Sequence, residues 1–142
     1  MNEVLCLATG RTYEMVLNTQ VTAHPAVAPY PRFKPKYVVP IKKGGSLEIL
    51  YLVDVIIECL PEDIYSYKDK LTETQYQHLV LYHETRQACY GYAKVATFYR
   101  FYLLKEIGMI QQPCIRKGIQ VSVKVCLSDI PTINTIVENI EK

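Results

Sequence analysis

The fourteen-residue stretch LEILYLVDVIIECL, residues 47–60, constrains this fold more than any other part of the chain. Leu47, Ile49, Tyr51, Val53, Val55, Ile57 and Cys59 recur at every second position, and all are apolar. Glu48, Asp54 and Glu58 occupy the alternate positions, mixed with Leu50, Leu52 and Ile56. A period of two is the signature of a strand, because successive side chains point to opposite faces of a sheet. The length predicts a long, curved strand in a mostly antiparallel sheet or barrel. The pattern recurs over Ile119–Cys126, where Ile119, Val121, Val123 and Val125 face in and Gln120, Ser122 and Lys124 face out.

Other elements follow from punctuation. Glu3 to Ala8 reads as a strand ended by Gly10, and Thr12 to Thr22 as a short helix or an irregular crossing. Pro25, Pro29, Pro31 and Pro35 make residues 23–35 a rigid loop with no room for a helix. Lys36 to Ile41 reads as a strand, and Lys42-Lys43-Gly44-Gly45 as a turn. Glu62 and Asp63 fall in a turn-like segment. A capping box of Thr72 with Gln75, and Gly91 at the far end, predict a helix over 72–90 with Leu79, Tyr82, His83, Arg86 and Tyr90 on one stripe. Thr97 to Leu104 is a further strand, and Asp129 to about Ile140 a short terminal helix. Helices do not alternate regularly with strands, which excludes a doubly wound parallel sheet. The expected fold class is α+β: a small mixed, mostly antiparallel β-barrel with flanking helices, in a single domain spanning 1–142.

Composition narrows the function classes. Hydrophobic residues make up 49% and charged residues 21%, enough to build a core and too apolar for disorder. A net charge of +2 means that any nucleic-acid contact must come from local clustering of charge. The five cysteines are scattered, with no CxxC pair, and read as reduced, partly buried thiols. No signal peptide or membrane span is visible, so the expected setting is cytoplasmic, with no membrane partner.

Two clusters join basic and aromatic residues. Residues 30–45 hold Arg32, Lys34, Lys36, Lys42 and Lys43 among Tyr30, Phe33 and Tyr37. The prolines here pre-set the backbone. In Thr97–Leu104, Phe98, Arg100, Tyr102 and Leu104 share one face and Tyr99, Phe101 and Leu103 the other, with the turn Arg116-Lys117-Gly118 following. Tyrosine and arginine faces stack on bases, and fixed cations hold phosphate. The same patterns also fit a solvated loop and an ordinary strand whose Arg100 pairs with Glu48 or Asp54. His83 and Glu84 are adjacent on a helix, about 100° apart, and form no zinc pair. There is no GxSxG, P-loop or GxGxxG. No catalytic residues are assigned, and no cofactor or metal is expected.

Three features resemble the PUA-like superfamily, which includes the ASCH and EVE domains. The Tyr30–Tyr37 segment leads through a strand and a KKGG turn into LEILYLVDVIIECL; FYRFYLLKEIGMIQQPCIRKGI is similar to a late strand with its proline-basic-glycine turn; and a strand and short helix close the chain. The resemblance covers nearly the whole sequence. It implies a small barrel whose openings are filled by helices, with a cleft that binds RNA or DNA, single-stranded or carrying a modified base. Carried over by position, the ligand-binding residues are Tyr30, Arg32, Lys34, Lys36, Tyr99, Arg100, Arg116 and Lys117. The chain departs from the pattern in lacking tryptophan and in its near-neutral charge. A non-catalytic protein-interaction or accessory subunit, of phage or defence type, is the alternative. A small ASCH-type hydrolase is the second, with no catalytic set to match it.

Overall fold

A computed structural model describes residues 3–9, 12–27, 30, 33–42, 47–112 and 123–126. The elements are β1 (Glu3–Ala8), α1 (Tyr13–Thr19), β2 (Val21–Pro25), β3 (Tyr37–Ile41), β4 (Leu47–Cys59), a 3-10 helix (Pro61–Lys70), α2 (Glu73–Cys89), β5 (Tyr99–Gln112) and β6 (Val123–Cys126). Hydrogen-bonded neighbours run in the order β2-β5-β4-β3-β1-β6. The β1–β3 pair is parallel, while β1–β6, β2–β5 and β3–β4 are antiparallel. The mixed, mostly antiparallel α+β class expected from the sequence is the one found.

The chain divides into two compact units. The first comprises residues 1–13, 33–53 and 105–142, and the second 14–32 and 54–104. Each has its own apolar core. Val4, Cys6, Tyr37, Val39, Ile41, Leu47, Leu50 and Ile110 fill the first. Val21, Ile57, Cys59, Ile64, Leu79, Tyr82, Tyr99, Phe101 and Leu103 are among those filling the second.

The single apolar face expected along β4 is corrected by a bulge. Val38 pairs with Tyr51 and Ile41 with Leu47, so β4 carries one residue more than β3 between these points. Pro40 lies in that interval. It has no N–H to donate to a ladder, and inside a sheet proline is confined to edges and bulges. The extra residue reverses the alternation, so Leu47 before it and Leu50 after it both serve the first core; farther along the strand, Val55, Ile57 and Cys59 serve the second.

Strand β2 falls across the boundary between the expected short helix and the proline loop, and α1 stops earlier than expected. Gln20 ends α1 at φ 56°, a left-handed conformation that costs a non-glycine residue roughly 1 kcal/mol. The Gln20 N–H donates to Val16 O and its carbonyl accepts from Leu104 N–H. The Thr19 hydroxyl donates to Met15 O. These contacts hold a turn that carries no glycine or proline signal.

Helix α2 follows its sequence signals. Thr72 and Gln75 form both bonds of the capping box. Gly91 sits at φ +75° and its N–H donates to Arg86 O, the left-handed helix ending that glycine supplies without strain. Leu79, Tyr82 and His83 are buried, but Tyr90 is exposed, so the stripe ends one turn early. The segment at Glu62 and Asp63 is 3-10 helix rather than turn. The expected terminal helix at 129–140 and residues 119–122 of the last strand lie outside the described residues.

Tyr82 joins α2 to β2, which stands at one end of the strand order. Its buried hydroxyl accepts from Arg86 Nη1 at 2.9 Å and is hydrogen-bonded to the Ala23 backbone. Covering an edge strand in this way removes a template for unwanted pairing. Tyr82→Phe leaves both partners unsatisfied, and should lower stability by about 1–3 kcal/mol in urea unfolding. An unchanged midpoint would remove this junction from the account.

Candidate functional site

Within the second unit, β2 and β5 pair with His24 opposite Arg100 and Thr22 opposite Tyr102. Alternation then sorts the ladder. Val21, Ala23, Tyr99, Phe101 and Leu103 pack in the core, while His24, Arg100 and Tyr102 lie on the other face.

Those three side chains form a directed chain of hydrogen bonds. Pro25 O can only accept, so His24 Nδ1, at 2.8 Å from it, carries the ring proton. A neutral imidazole then leaves Nε2 as an acceptor, and the Tyr102 hydroxyl donates to it at 2.7 Å. Arg100 hydrogen-bonds the same Tyr102 oxygen. Arg100 Nε donates to Glu58 Oε1 at 2.6 Å. Tyr30 closes the group from outside, its ring nearly parallel to His24 at 8° with centroids 5.9 Å apart. Arg100 is 7% exposed and Tyr30 43%, so a buried polar network ends in a half-exposed aromatic face.

Burial governs the protonation of these groups. It pushes the His24 pKa below its ordinary value, and the positive Arg100 adds to the effect, against the Pro25 hydrogen bond and Glu58. Burial raises the Tyr102 hydroxyl, and the Arg100 contact opposes this. Burial alone would lower Arg100, but its hydrogen bonds to Tyr102 and Glu58 outweigh it and hold the guanidinium charged. Removing one partner from a buried ion pair costs about 3–5 kcal/mol. The exposed edge of Glu58 places this pair toward the lower end.

The expected ligand residues are placed unequally. Tyr30 and Arg100 come together through His24 and Tyr102. Tyr99 does not join them: it is 3% exposed, its hydroxyl accepts from Ala93 N–H at 2.8 Å, and Arg86 lies over its ring. Adjacent strand residues point to opposite faces, so Tyr99 and Arg100 cannot line one surface. Arg100 pairs with Glu58, and not with Glu48 or Asp54. Glu48 accepts from Tyr13 and pairs with Lys42, and Asp54 accepts from Gln75. Lys34 and Lys36 are exposed residues of the first unit. Arg32, Arg116 and Lys117 lie outside the described residues. Sequence reasoning missed His24, Glu58 and Tyr102 as a group, because β2 carried no recognised strand pattern to set their register.

His83 belongs to a different cluster. It is buried, stacked on Tyr92 with its Nδ1 3.0 Å from the Tyr92 hydroxyl, and it meets Tyr65 edge-on. Arg86 lies over both Tyr92 and Tyr99 and donates to Gly91 O. These contacts tie residues 91–93 to α2. Glu84, beside His83 in sequence, is exposed. Among the described residues, no group of three or more His, Cys, Asp or Glu is placed to hold a metal ion, and no helix is long and apolar enough to cross a membrane.

His24 and His83 are both held below the ordinary imidazole pKa of 6.5. Below that pH the unfolded chain takes up protons that the folded chain refuses, so acidification lowers stability. Thermal unfolding from pH 8 to pH 5 should show this loss, and His24→Gln and His83→Gln should each reduce its slope. An identical slope in both variants would contradict the assignment.

No family sequence model and no curated protein sequence matches the chain. Solved structures do. The crystal structure of ASCH from Zymomonas mobilis is similar at TM-score 0.57 and 9% identity, covering 93% of this chain and 94% of that one. A serine-to-alanine variant of the same protein is similar at TM-score 0.55 and 9% identity, covering 94% and 95%. A tyrosine-to-phenylalanine variant is similar at 0.54 and 10%, covering 94% and 96%. The chain thus has the α+β, barrel-like fold of these ASCH structures.

Proposed function

We propose that the protein is a single intracellular ASCH-type module that binds single-stranded nucleic acid or a nucleotide-like ligand, RNA or DNA, at the face built around Tyr30 and Arg100. One observation carries this reading: a half-exposed aromatic ring lies flat on a buried histidine that is itself locked to a tyrosine–arginine–glutamate network. A flat ring held from behind is pre-organised for stacking, so little side-chain entropy is lost when a base adds to it.

By sequence clustering alone, Arg32, Lys34, Lys36, Arg116 and Lys117 are the candidates for phosphate contact in this reading. They supply affinity without sequence preference. This reading gives Arg100 no phosphate, because Glu58 pairs with it. The fold similarity to ASCH structures supports the reading at the level of architecture alone.

Fluorescence anisotropy with labelled single-stranded RNA and DNA tests it. Binding should weaken as salt rises, since each phosphate contact releases counterions. Tyr30→Ala should weaken binding about 5- to 150-fold, the range of one lost base–aromatic stack. If no labelled strand binds at low salt, or if Tyr30→Ala binds as the parent does, the reading fails.

A further inference from the structure

The β2–β5 ladder continues one pair beyond the end of β2. His24 faces Arg100 and Pro25 faces Tyr99, and the Ala26 N–H then donates to Phe98 O at 2.8 Å, so Ala26 and Phe98 form the next pair. Alternation puts Phe98 on the face of Arg100, away from the core side taken by Tyr99. The exposures agree: Tyr99 is 3% exposed and Phe98 56%. Phe98 is therefore the diagonal neighbour of His24 across the ladder. Such neighbours lie about 7–8 Å apart, within reach of aromatic side chains. Tyr30 comes to the same place by another route. Its N–H donates to Val27 O at 3.0 Å, which tethers it to the end of this ladder, and its ring lies parallel to His24. His24 backs one side of that ring, so a ligand can add only to the other. Two substantially exposed aromatic rings thus neighbour one buried imidazole, Tyr30 from the β2 side and Phe98 from the β5 side, with half-exposed Val27 beside Ala26. A single exposed phenylalanine needs no explanation, but one that extends a stacking face does.

We infer, building on the nucleic-acid reading above, that the site spans two consecutive nucleotides, with one base stacked on Tyr30 and its neighbour on Phe98. A single strand presents flat faces joined by a short flexible backbone, and aromatic platforms bind successive bases in this way whatever their sequence. Phe98 carries no hydroxyl and no charge, so it adds stacking and burial without reading a base edge. The two platforms are held differently. Tyr30 rests on His24 and the hydrogen bonds behind it, whereas Phe98 is fixed by the ladder bond to its own carbonyl. Arg100, two residues from Phe98 on the same face, keeps its charge for Glu58. The second nucleotide is therefore gained through its base and not through its phosphate.

Calorimetric titration of the full chain with AMP and dAMP, and with the dinucleotides ApA and d(ApA), tests this. Each dinucleotide carries one phosphodiester charge, whereas the phosphate of a mononucleotide carries about −1.5 to −2, so tighter binding of the dinucleotide cannot come from charge. A dinucleotide should bind roughly 5- to 150-fold more tightly than its mononucleotide, the range of one added stack, and a gain in either the RNA or the DNA pair supports the inference. Phe98 is exposed, so Phe98→Ala should fold as the parent does by circular dichroism. It should remove the gain and leave mononucleotide affinity unchanged, and Phe98→Tyr should retain the gain. Equal affinity for mononucleotide and dinucleotide in both pairs, or a gain that survives Phe98→Ala, would overturn the inference and leave the proposed function standing. So would a Phe98→Ala variant that weakens mononucleotide and dinucleotide alike, the behaviour of one base held between the two rings. If the mononucleotides, the dinucleotides and the labelled strands all fail to bind, the proposed function falls and the inference with it.

Discussion

A guanidinium shut away from water must be paired, and the face around β2 and β5 is arranged to pair one. Arg100 reaches Glu58 on one side and Tyr102 on the other. Tyr102 then has its oxygen engaged and its proton directed at His24. His24 in turn can accept only because Pro25 O takes the proton on its other nitrogen. Each donor sets the role of the next, so tautomer, hydroxyl direction and salt bridge form one arrangement. Among the described residues, no buried side-chain nitrogen or oxygen atom lacks a hydrogen-bond partner. Satisfied networks of this sort rigidify the surface that they underlie. Here that surface is the ring of Tyr30.

The opposite face of the same strands is dry. Tyr99, Phe101 and Leu103 enter the second core with Leu79 and Tyr82 of α2. The Tyr82 ring meets Phe101 edge-on, and its hydroxyl covers the β2 edge. Arg86, over Tyr92 and Tyr99, fastens the residues that lead from the helix back into β5. The two arginines thus work differently. Arg86 is satisfied by aromatic faces, a carbonyl and a phenol, whereas Arg100 is satisfied by a carboxylate whose outer edge remains in water.

Much of the architecture was legible because its signals are local. Thr72 and Gln75 announce the start of α2, Gly91 its end, and the alternation over residues 47–60 the long strand. The separation of Tyr99 from Arg100 was legible too: the period-two assignment that split residues 97–104 into two faces already forbade both from lining one cleft. The β4 bulge and β2 were not. A bulge is a relation between two strands, visible at Pro40 only once β3 is known to be flanked on both sides. The residue that turns α1 into β2 is Gln20, whose left-handed backbone is held by bonds to Val16 and Leu104 and by nothing in its own chemistry.

Local sequence dictates which residues alternate, where α2 is capped, and that cationic and aromatic side chains cluster at 30–36 and 99–102, because those properties depend on neighbours a few positions apart. That Arg100 answers to Glu58, 42 residues away, and Tyr102 to His24, 78 residues away, is settled by long-range strand pairing. Pairing at that range is set by strand register. The β2–β5 register follows a strained turn at Gln20 that is held by bonds within the folded structure, so no local pattern records it.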